Sequence, residues 1–455
     1  MGGFFLRLPS VQFASRLKVL VRSPGLAVAT AFLLRMFFLW LTRRNGGIDH
    51  PKFPMVGIET ESVARSIAAG HGFSKIMYII DAPTAWLAPV YPYLLAPISK
   101  LVHMNAAAAL VGCQIINSVF AAATCWPIYA LGRKIFNPGI GLASTWLWVF
   151  LPTAVQMPLE WTWDQSLTAL LLTLLLCATY QIRESSSGIR WTGYGLFWAF
   201  AALTNPALCV LLPFLLGWVI FERRKSAMAT ARLAAIVALF FVLGLLPWTV
   251  RNYWALGGFV PVKSNFGLEL FLGNNPSVKH IYTPELHPWL NSNQELALIM
   301  NGEVNYGRRT MRAAMQFIEA HPGRFLVLSL ERIADIWTDE YDVKTDPWVT
   351  QLHWEKGYVI FYSGFSLLAL AGLLLASYKY RAEAAPLALT LLIFPVIYYI
   401  THSGARYRHP IDPTMCVLTV FAVKCAMSPV SLKLWRRTET PATSLEPHPI
   451  GSSGH

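Results

Sequence analysis

Charge is what this chain has least of. Only 13% of its 455 residues are Asp, Glu, Lys or Arg, against roughly 25% in an ordinary soluble domain. That little charge cannot cover a soluble protein of this length. A cytosolic enzyme, a disordered regulator and a nucleic-acid-binding domain are therefore poor readings. Cysteine is scarce too. Cys113, Cys125, Cys177, Cys209, Cys416 and Cys425 all fall inside apolar runs, and no CxxC occurs. A disulfide framework and a Cys-based metal site are thereby disfavoured. The chain has no Walker A motif, no GxGxxG at a strand–helix junction, no HExxH and no GxSxG. ATP hydrolysis in this chain and serine-hydrolase chemistry have no support. Repeats and low-complexity tracts are missing as well. So is a cleavable signal: the first apolar run is long and ends on Arg43-Arg44, with no small-residue cleavage site. It reads as a retained first span.

What is present is apolar. Hydrophobic residues make up 55% and aromatics 13%, with 17 Trp and 17 Tyr, as expected of side chains at two membrane–water boundaries. At ~20 residues per crossing the chain can hold about ten. The apolar runs are 25–42, 106–132, 138–156, 166–182, 191–221, 230–250, 357–378, 384–401 and 413–428. The run 191–221 is too long for one span, and Thr204-Asn205-Pro206 marks a turn that divides it. The stretch 84–104 carries Pro89, Pro92 and Pro97, so it reads as an interfacial or partly inserted element. The expected fold is an all-α polytopic membrane protein of about ten transmembrane helices. It has an amphipathic helix in the first outer loop and a small, mainly helical outer domain.

The net charge of +13 suggests nucleic acid, but the Lys and Arg gather in short patches between apolar runs, the positive-inside pattern. With the N-terminus inside, 1–24 is a cytoplasmic tail and 25–250 a membrane module containing the first outer loop, 43–105. Residues 251–355 are then an outer region and 356–428 the last membrane helices. The polar 429–455 is a disordered cytoplasmic tail. The outer segments 43–105, 157–165, 251–355 and 402–412 are richer in Glu, Asp, His, Trp and Asn. Polar chemistry is assembled on that side.

Four pieces there deserve weighing. In GIETESVARSIAAGHGFS, 57–74, the spacing of Val63, Ala64, Ile67 and Ala68 predicts a short helix stopped at Gly70. Glu61 and Arg65 can pair on its exposed face. Glu59 lacks such a partner and sits in the first turn, where it is either a general base or an ordinary helix-start acid. In PLEWTWDQSL, 158–167, Glu160 and Asp164 must lie near the outer boundary, anchored by Trp161 and Trp163. Asp164 either caps the next helix or faces a polar cavity shared with Glu59. HSGARYRHPIDP, 402–413, packs His402, Arg406, Arg408 and His409 into a cationic cluster outside the membrane. An anionic ligand would balance it, with headgroup contact as the plainer alternative. The stretch 247–276 holds Arg251, Lys263, Asn265, Glu269, Asn274 and Asn275 among aromatics and glycines. That composition suits sugar or phosphate, or simply an ordered loop on a membrane. Asp339-Glu340-Tyr341-Asp342 offers oxygen ligands for a divalent cation, or a solvated connection after a helix at 324–338.

The order of these motifs is similar to that of the polytopic glycosyltransferases of the glycosyltransferase-C fold. An acid-bearing first outer loop is followed by PTAWLAPVYPYLLA at 83–96 and an acid in the next short outer loop. The RNY…F.P..SNFG.EL..GN.P stretch and RYRHPIDP then close the series. The bacterial branch related to protein O-mannosyltransferases and to the aminoarabinose transferase of lipid A is the nearest likeness, over roughly 25–428. The resemblance implies hexosyl or pentosyl transfer, with inversion, from a polyprenyl-phosphate donor to a lipid, glycan or protein hydroxyl. The setting would be the outer face of a bacterial inner membrane, with no nucleotide and no nucleic acid. It matches Glu59, with Glu61 the alternative, to the base, and Asp164 to the second acid. It matches Arg406, Tyr407 and Arg408 to the phosphate holder. Arg251 and Lys263 join those phosphate candidates. Glu61, His71, Trp86, Tyr91, Asn265, Glu269 and Asn274 are candidates for substrate contact, residues 83–93 forming the cavity rim. A divalent cation is left open. The rival reading is a transporter or flippase for a phosphate-bearing lipid. The inverted repeats and paired broken helices such proteins often show are not visible.

Overall fold

The computed structural model describes residues 23–44, 57–78, 80–160, 162–339 and 355–427. Most of the first expected tail, all of the second, Trp161 and Glu340–Asp342 lie outside the described residues. Regular structure among them is helical, with one isolated bridge between Ser74 and Pro83.

The chain opens with α1 (Pro24–Arg44), a long apolar helix. The segment between α1 and the next long apolar helix carries α2 (Ile58–Ala68) and α3 (Val90–Leu101). α2 ends where predicted, with Gly70 at φ 85°, a conformation that suits glycine. Pro89 and Pro92 fall at or before the first turn of α3, where no helical hydrogen bond is lost, while Pro97 lies inside the helix and leaves one unmade. Next come α4 (Ala106–Ala123), α5 (Cys125–Ile135), α6 (Pro138–Phe150), α7 (Pro152–Glu160) and α8 (Gln165–Arg183).

The expected single span at 138–156 is in fact two helices, α6 and α7, bent by 48°. Pro158 inside α7 has no N–H for the carbonyl of Ala154, four residues back. The buried Arg35 of α1 fills that gap: its Nε and Nη2 donate to Ala154 O at 3.0 and 2.7 Å. A charged group at this depth is thus satisfied by a carbonyl that the helix itself cannot use.

α9 (Gly188–Ala202) and α10 (Leu211–Glu222) are the two halves of the long run, separated at Thr204-Asn205-Pro206 as expected. α11 (Ala227–Leu256) reaches well beyond its apolar run and stops at Gly257, φ 66°. The polar segment that follows contributes α12 (Phe266–Gly273), α13 (Ser292–Ala320) and α14 (Pro322–Thr338). α15 (Glu355–Lys379), α16 (Arg381–Ile393), α17 (Val396–Ile400), α18 (Ala405–Arg408) and α19 (Asp412–Ala426) close the chain.

Among the described residues, six helices are long and apolar enough to cross a membrane, or seven if the bent α6–α7 pair is one span. This is fewer than the ten expected. α9 and α19 have 15 residues each and α10 has 12, short of the ~20 that a perpendicular crossing needs. The composition and the long helices are those of a multi-pass membrane protein.

Two cores matter for function. The larger fills the bundle, around Trp148, Leu172, Trp191, Trp198 and Leu418. The smaller joins the segment of α2 and α3 to α11 and the polar segment after it: Val63, Phe73 and Trp86 pack with Trp248, Leu268, Leu298 and Tyr306. It holds these segments against one another.

Candidate active site

Gly57 brings the first acid to the second. It starts α2 at φ 92°, and a Cβ there would lie 1.4 Å from Thr162 Oγ1. Only glycine tolerates both conditions, so the head of α2 abuts the loop that delivers Asp164. Within α2, Glu61 pairs with Arg65 at 3.0 Å, as the spacing predicted. Glu59 turns to other partners. Its Oε1 accepts from Trp86 Nε1 at 2.9 Å and lies 3.4 Å from His287 Nε2.

Asp164 precedes α8 but does not cap its backbone. Its Oδ2 instead accepts from Thr168 Oγ1 at 2.8 Å. It lines a cleft of about 360 Å³, open mouth included, with Thr60, Tyr91, Trp163, Asn205 and Lys263. Burial pushes its carboxyl above the ordinary value, against the pull of the Lys263 charge and the Thr168 hydroxyl.

Lys263 also acts on Glu269. Burial pushes the Glu269 carboxyl up, but the His402 hydrogen bond and the charges of His402, Lys263 and His287 outweigh it, down to about 2. Glu269 Oε2 meets His402 Nε2 at 2.7 Å, and Asn265 Nδ2 donates to its Oε1 at 2.8 Å. The Arg406 guanidinium stacks on the Trp163 ring at 4.2 Å and donates to the Tyr407 hydroxyl at 2.7 Å. Cation–π stacking holds the planar guanidinium against the indole face.

Tyr91, Asp164 and Lys263 therefore line the cleft itself. Glu59 and Trp86 pair beside its wall residues Thr60 and Leu87. Arg406 and Tyr407 reach it through Trp163, and Lys263 links it electrostatically to Glu269, which Asn265 also holds. Other expected members are placed elsewhere. Arg408 is wholly buried: its Nε meets Asp412 Oδ1 at 3.0 Å, its Nη1 donates to Ser366, and its head lies over the Tyr362 ring. Asn274 is buried and holds the carbonyls of Leu270 and Ile400. Arg251 donates to the carbonyls of Thr84 and Phe73, at 2.5 and 2.6 Å. His71 is exposed in the turn after α2.

His287 and Trp163 were not singled out as ligands by the sequence. His287 sits in a short irregular segment after Pro284, where no periodicity exists to reveal a face. Trp163 was read only as a boundary anchor. Among the described residues, no group of three or more His, Cys, Asp or Glu could hold a metal ion, so no three-ligand cation site is found there.

Comparison with known proteins bears on the fold. Residues 83–248 match the family model described as Dolichyl-phosphate-mannose-protein mannosyltransferase. No match was found among curated proteins. The apo oligosaccharyltransferase of Archaeoglobus fulgidus superposes with a TM-score of 0.55 at 12% identity, over 91% of this chain and 52% of that one. The same enzyme with Zn and sulfate gives 0.49 at 14% identity, over 83% and 45%. ArnT from Cupriavidus metallidurans bound to undecaprenyl phosphate gives 0.39 at 11%, over 86% and 77%. The chain spans about half the length of the oligosaccharyltransferase. It thus has the membrane fold of the glycosyltransferase-C enzymes, and its residues 83–248 resemble those of the dolichyl-phosphate-mannose-protein mannosyltransferases.

Proposed function

We propose that the protein is an integral membrane glycosyltransferase. It moves a sugar from a polyprenyl-phosphate donor to an acceptor hydroxyl on the non-cytoplasmic face, with inversion. The observation that carries this is the cleft where Asp164 and Lys263 meet, walled by Thr60 beside Glu59 and by Trp163 beneath Arg406. The matched family is named for transfer from a dolichyl-phosphate sugar to protein, which supports a lipid-phosphate donor.

In the reaction the acceptor oxygen bonds to the anomeric carbon, and the bond from that carbon to the phosphate oxygen breaks. Its electron pair leaves with the phosphate, where Lys263 and Arg406 offset the new charge. The acceptor proton goes to Glu59, which Trp86 holds in orientation. Asp164, on the cleft wall, steadies positive charge on the ring as the donor bond lengthens. An apolar polyprenyl tail stays in the bilayer, so the cleft belongs at the helix ends, where these residues are. Arg408 is left out of this account because its ion pair with Asp412 occupies it.

The test is turnover in proteoliposomes holding polyprenyl-phosphate sugars, read as released polyprenyl phosphate. Glu59→Gln should lower kcat by about 10²–10⁴-fold, the usual worth of a general base, with the protein still folded. Wild-type turnover in that variant would remove Glu59 as the base. Lipid movement across the bilayer with no sugar transfer would favour the transporter.

A further inference from the structure

Glu303 lies in the outer region and is absent from the chemistry above. α13 breaks at Gly302, whose φ 69° and ψ 161° are not helical. Glu303 follows the break and is 8% exposed. Its Oε2 accepts from Thr84 Oγ1 at 2.5 Å and its Oε1 from the Ala85 N–H at 2.8 Å. The Ser264 hydroxyl also donates to Oε1. Thr84 Oγ1 in turn accepts the Trp86 N–H at 3.0 Å, and the Ser264 N–H donates to Ala85 O at 2.9 Å.

One buried carboxylate thus joins two segments by three donors. Each segment delivers a working side chain at an adjacent position. Residues 84–85 lead into Trp86, whose indole holds Glu59. Ser264 follows Lys263, which shares the cleft with Asp164. A buried carboxylate needs several donors to be stable, and here all three come from the backbone or hydroxyls of these two segments.

We propose that Glu303 is a positioning residue for the transfer reaction. It sets the spacing between the Glu59–Trp86 arm and the Lys263 arm, so that the base and the phosphate-facing cation address one donor–acceptor pair. This rests on the function proposed above. The break at Gly302 is the backbone device that swings the carboxylate out of the line of α13.

The experiment uses the full chain in proteoliposomes and two readouts. The first is turnover of polyprenyl-phosphate sugars. Glu303→Ala should lower kcat by about 10²-fold, the scale of a 1 Å misplacement, with the donor KM changed far less. Glu303→Gln should keep most of kcat, because its amide oxygen still accepts from Ala85 and its NH2 can reach the Thr84 hydroxyl. Trp86→Phe should cost little more once Glu303 is Ala, since the two act as one unit. Wild-type kcat in Glu303→Ala, or full additivity with Trp86→Phe, overturns the proposal. If the Ala variant does not accumulate, Ser264→Ala and Thr84→Val, each stripping one donor, must show the same kcat-selective loss, and unchanged kcat in both overturns it.

The second readout is amide exchange, which needs no activity. Protection at Ala85, Trp86 and Ser264 should fall in Glu303→Ala while α8 and α19 stay protected. If the wild type turns over no polyprenyl-phosphate sugar, the functional reading fails by itself. Exchange then decides the clamp: lost protection upholds it, and unchanged protection removes it.

Discussion

The two arginines of the Arg406-Tyr407-Arg408 motif show how little residue type says about role. They are two positions apart and meet opposite surroundings. Arg406 is held by aromatic faces and a hydroxyl. Arg408 is sealed against Asp412, with both side chains fully buried. Removing one partner of a buried ion pair leaves the other charge uncompensated, at about 3–5 kcal/mol. Arg408→Ala should therefore lower the thermal midpoint of the purified protein sharply. Arg406→Ala should lower that midpoint less than Arg408→Ala does and should weaken binding of polyprenyl phosphate. A binding loss without a stability loss in Arg408→Ala would exchange these assignments. Glu269 offers a second test at this scale. Its folded carboxyl sits at about 2, below the ordinary 4.5, so the ionised form is favoured on folding. The stability this gives is fully present above about pH 5 and is lost as pH falls from 4.5 towards 2. The gap in thermal midpoint between wild type and Glu269→Gln should be flat above pH 5 and shrink below it. A gap independent of pH down to 3 would contradict the His402 pairing.

Elements were easier to read than their contacts. The helix at 58–68, its Glu61–Arg65 pair, the stop at Gly70 and the divide at Thr204-Asn205-Pro206 follow from local chemistry, so the sequence alone predicts them. The bend at Leu151 has a local cause, since Pro152 pushes the residue before it into extended backbone. Less legible is how Pro158 is tolerated, because Arg35, 119 residues distant in sequence, reaches Ala154 O. The Glu59–His287 and Glu269–His402 contacts likewise join segments over 100 residues apart. No period or spacing encodes such pairs. Helix packing carries the same long-range information. A Cβ on Gly372 of α15 would come 2.1 Å from Leu418 O and 2.6 Å from Leu418 C of α19. These are backbone atoms that cannot step aside, so Gly372→Ala forces the helices apart, at about 1–3 kcal/mol. Gly364, on the same helix, meets nothing within 4 Å. Gly372→Ala should lower the thermal midpoint by several degrees, with Gly364→Ala neutral or slightly stabilising. Equal effects at the two positions would mean that α15 and α19 do not touch there.

The orientation of the whole molecule depends on parity, and parity is more secure than the number of crossings. Between Glu59 and Asp164 lie the span 106–135 and the bent pair α6–α7, two passages if both cross. Both acids then face one side, as the close approach of Gly57 to Thr162 demands. Between Asp164 and Lys263 lie α8, the short pair α9 and α10, and α11. That is four crossings if both short helices pass through the bilayer, and two if neither does; either number returns the chain to the same face. Between Lys225 and Arg406 lie α11, α15 and α16, an odd number. Lys225 stands next to Arg223 and Arg224, in the kind of basic patch that stays in the cytoplasm. On that placement Asp164, Lys263 and Arg406 are expected on the opposite, non-cytoplasmic face. Single reporters inserted after residue 225 and after residue 408 should give opposite answers: the first accessible only from the cytoplasm, the second only from beyond the membrane. The prediction stands whether the chain crosses seven times or ten. Reporters on the same side would break the parity of α11, α15 and α16. A single closed site built from Asp164, Lys263 and Arg406 would then be impossible, because their segments could not meet at one surface of the bilayer.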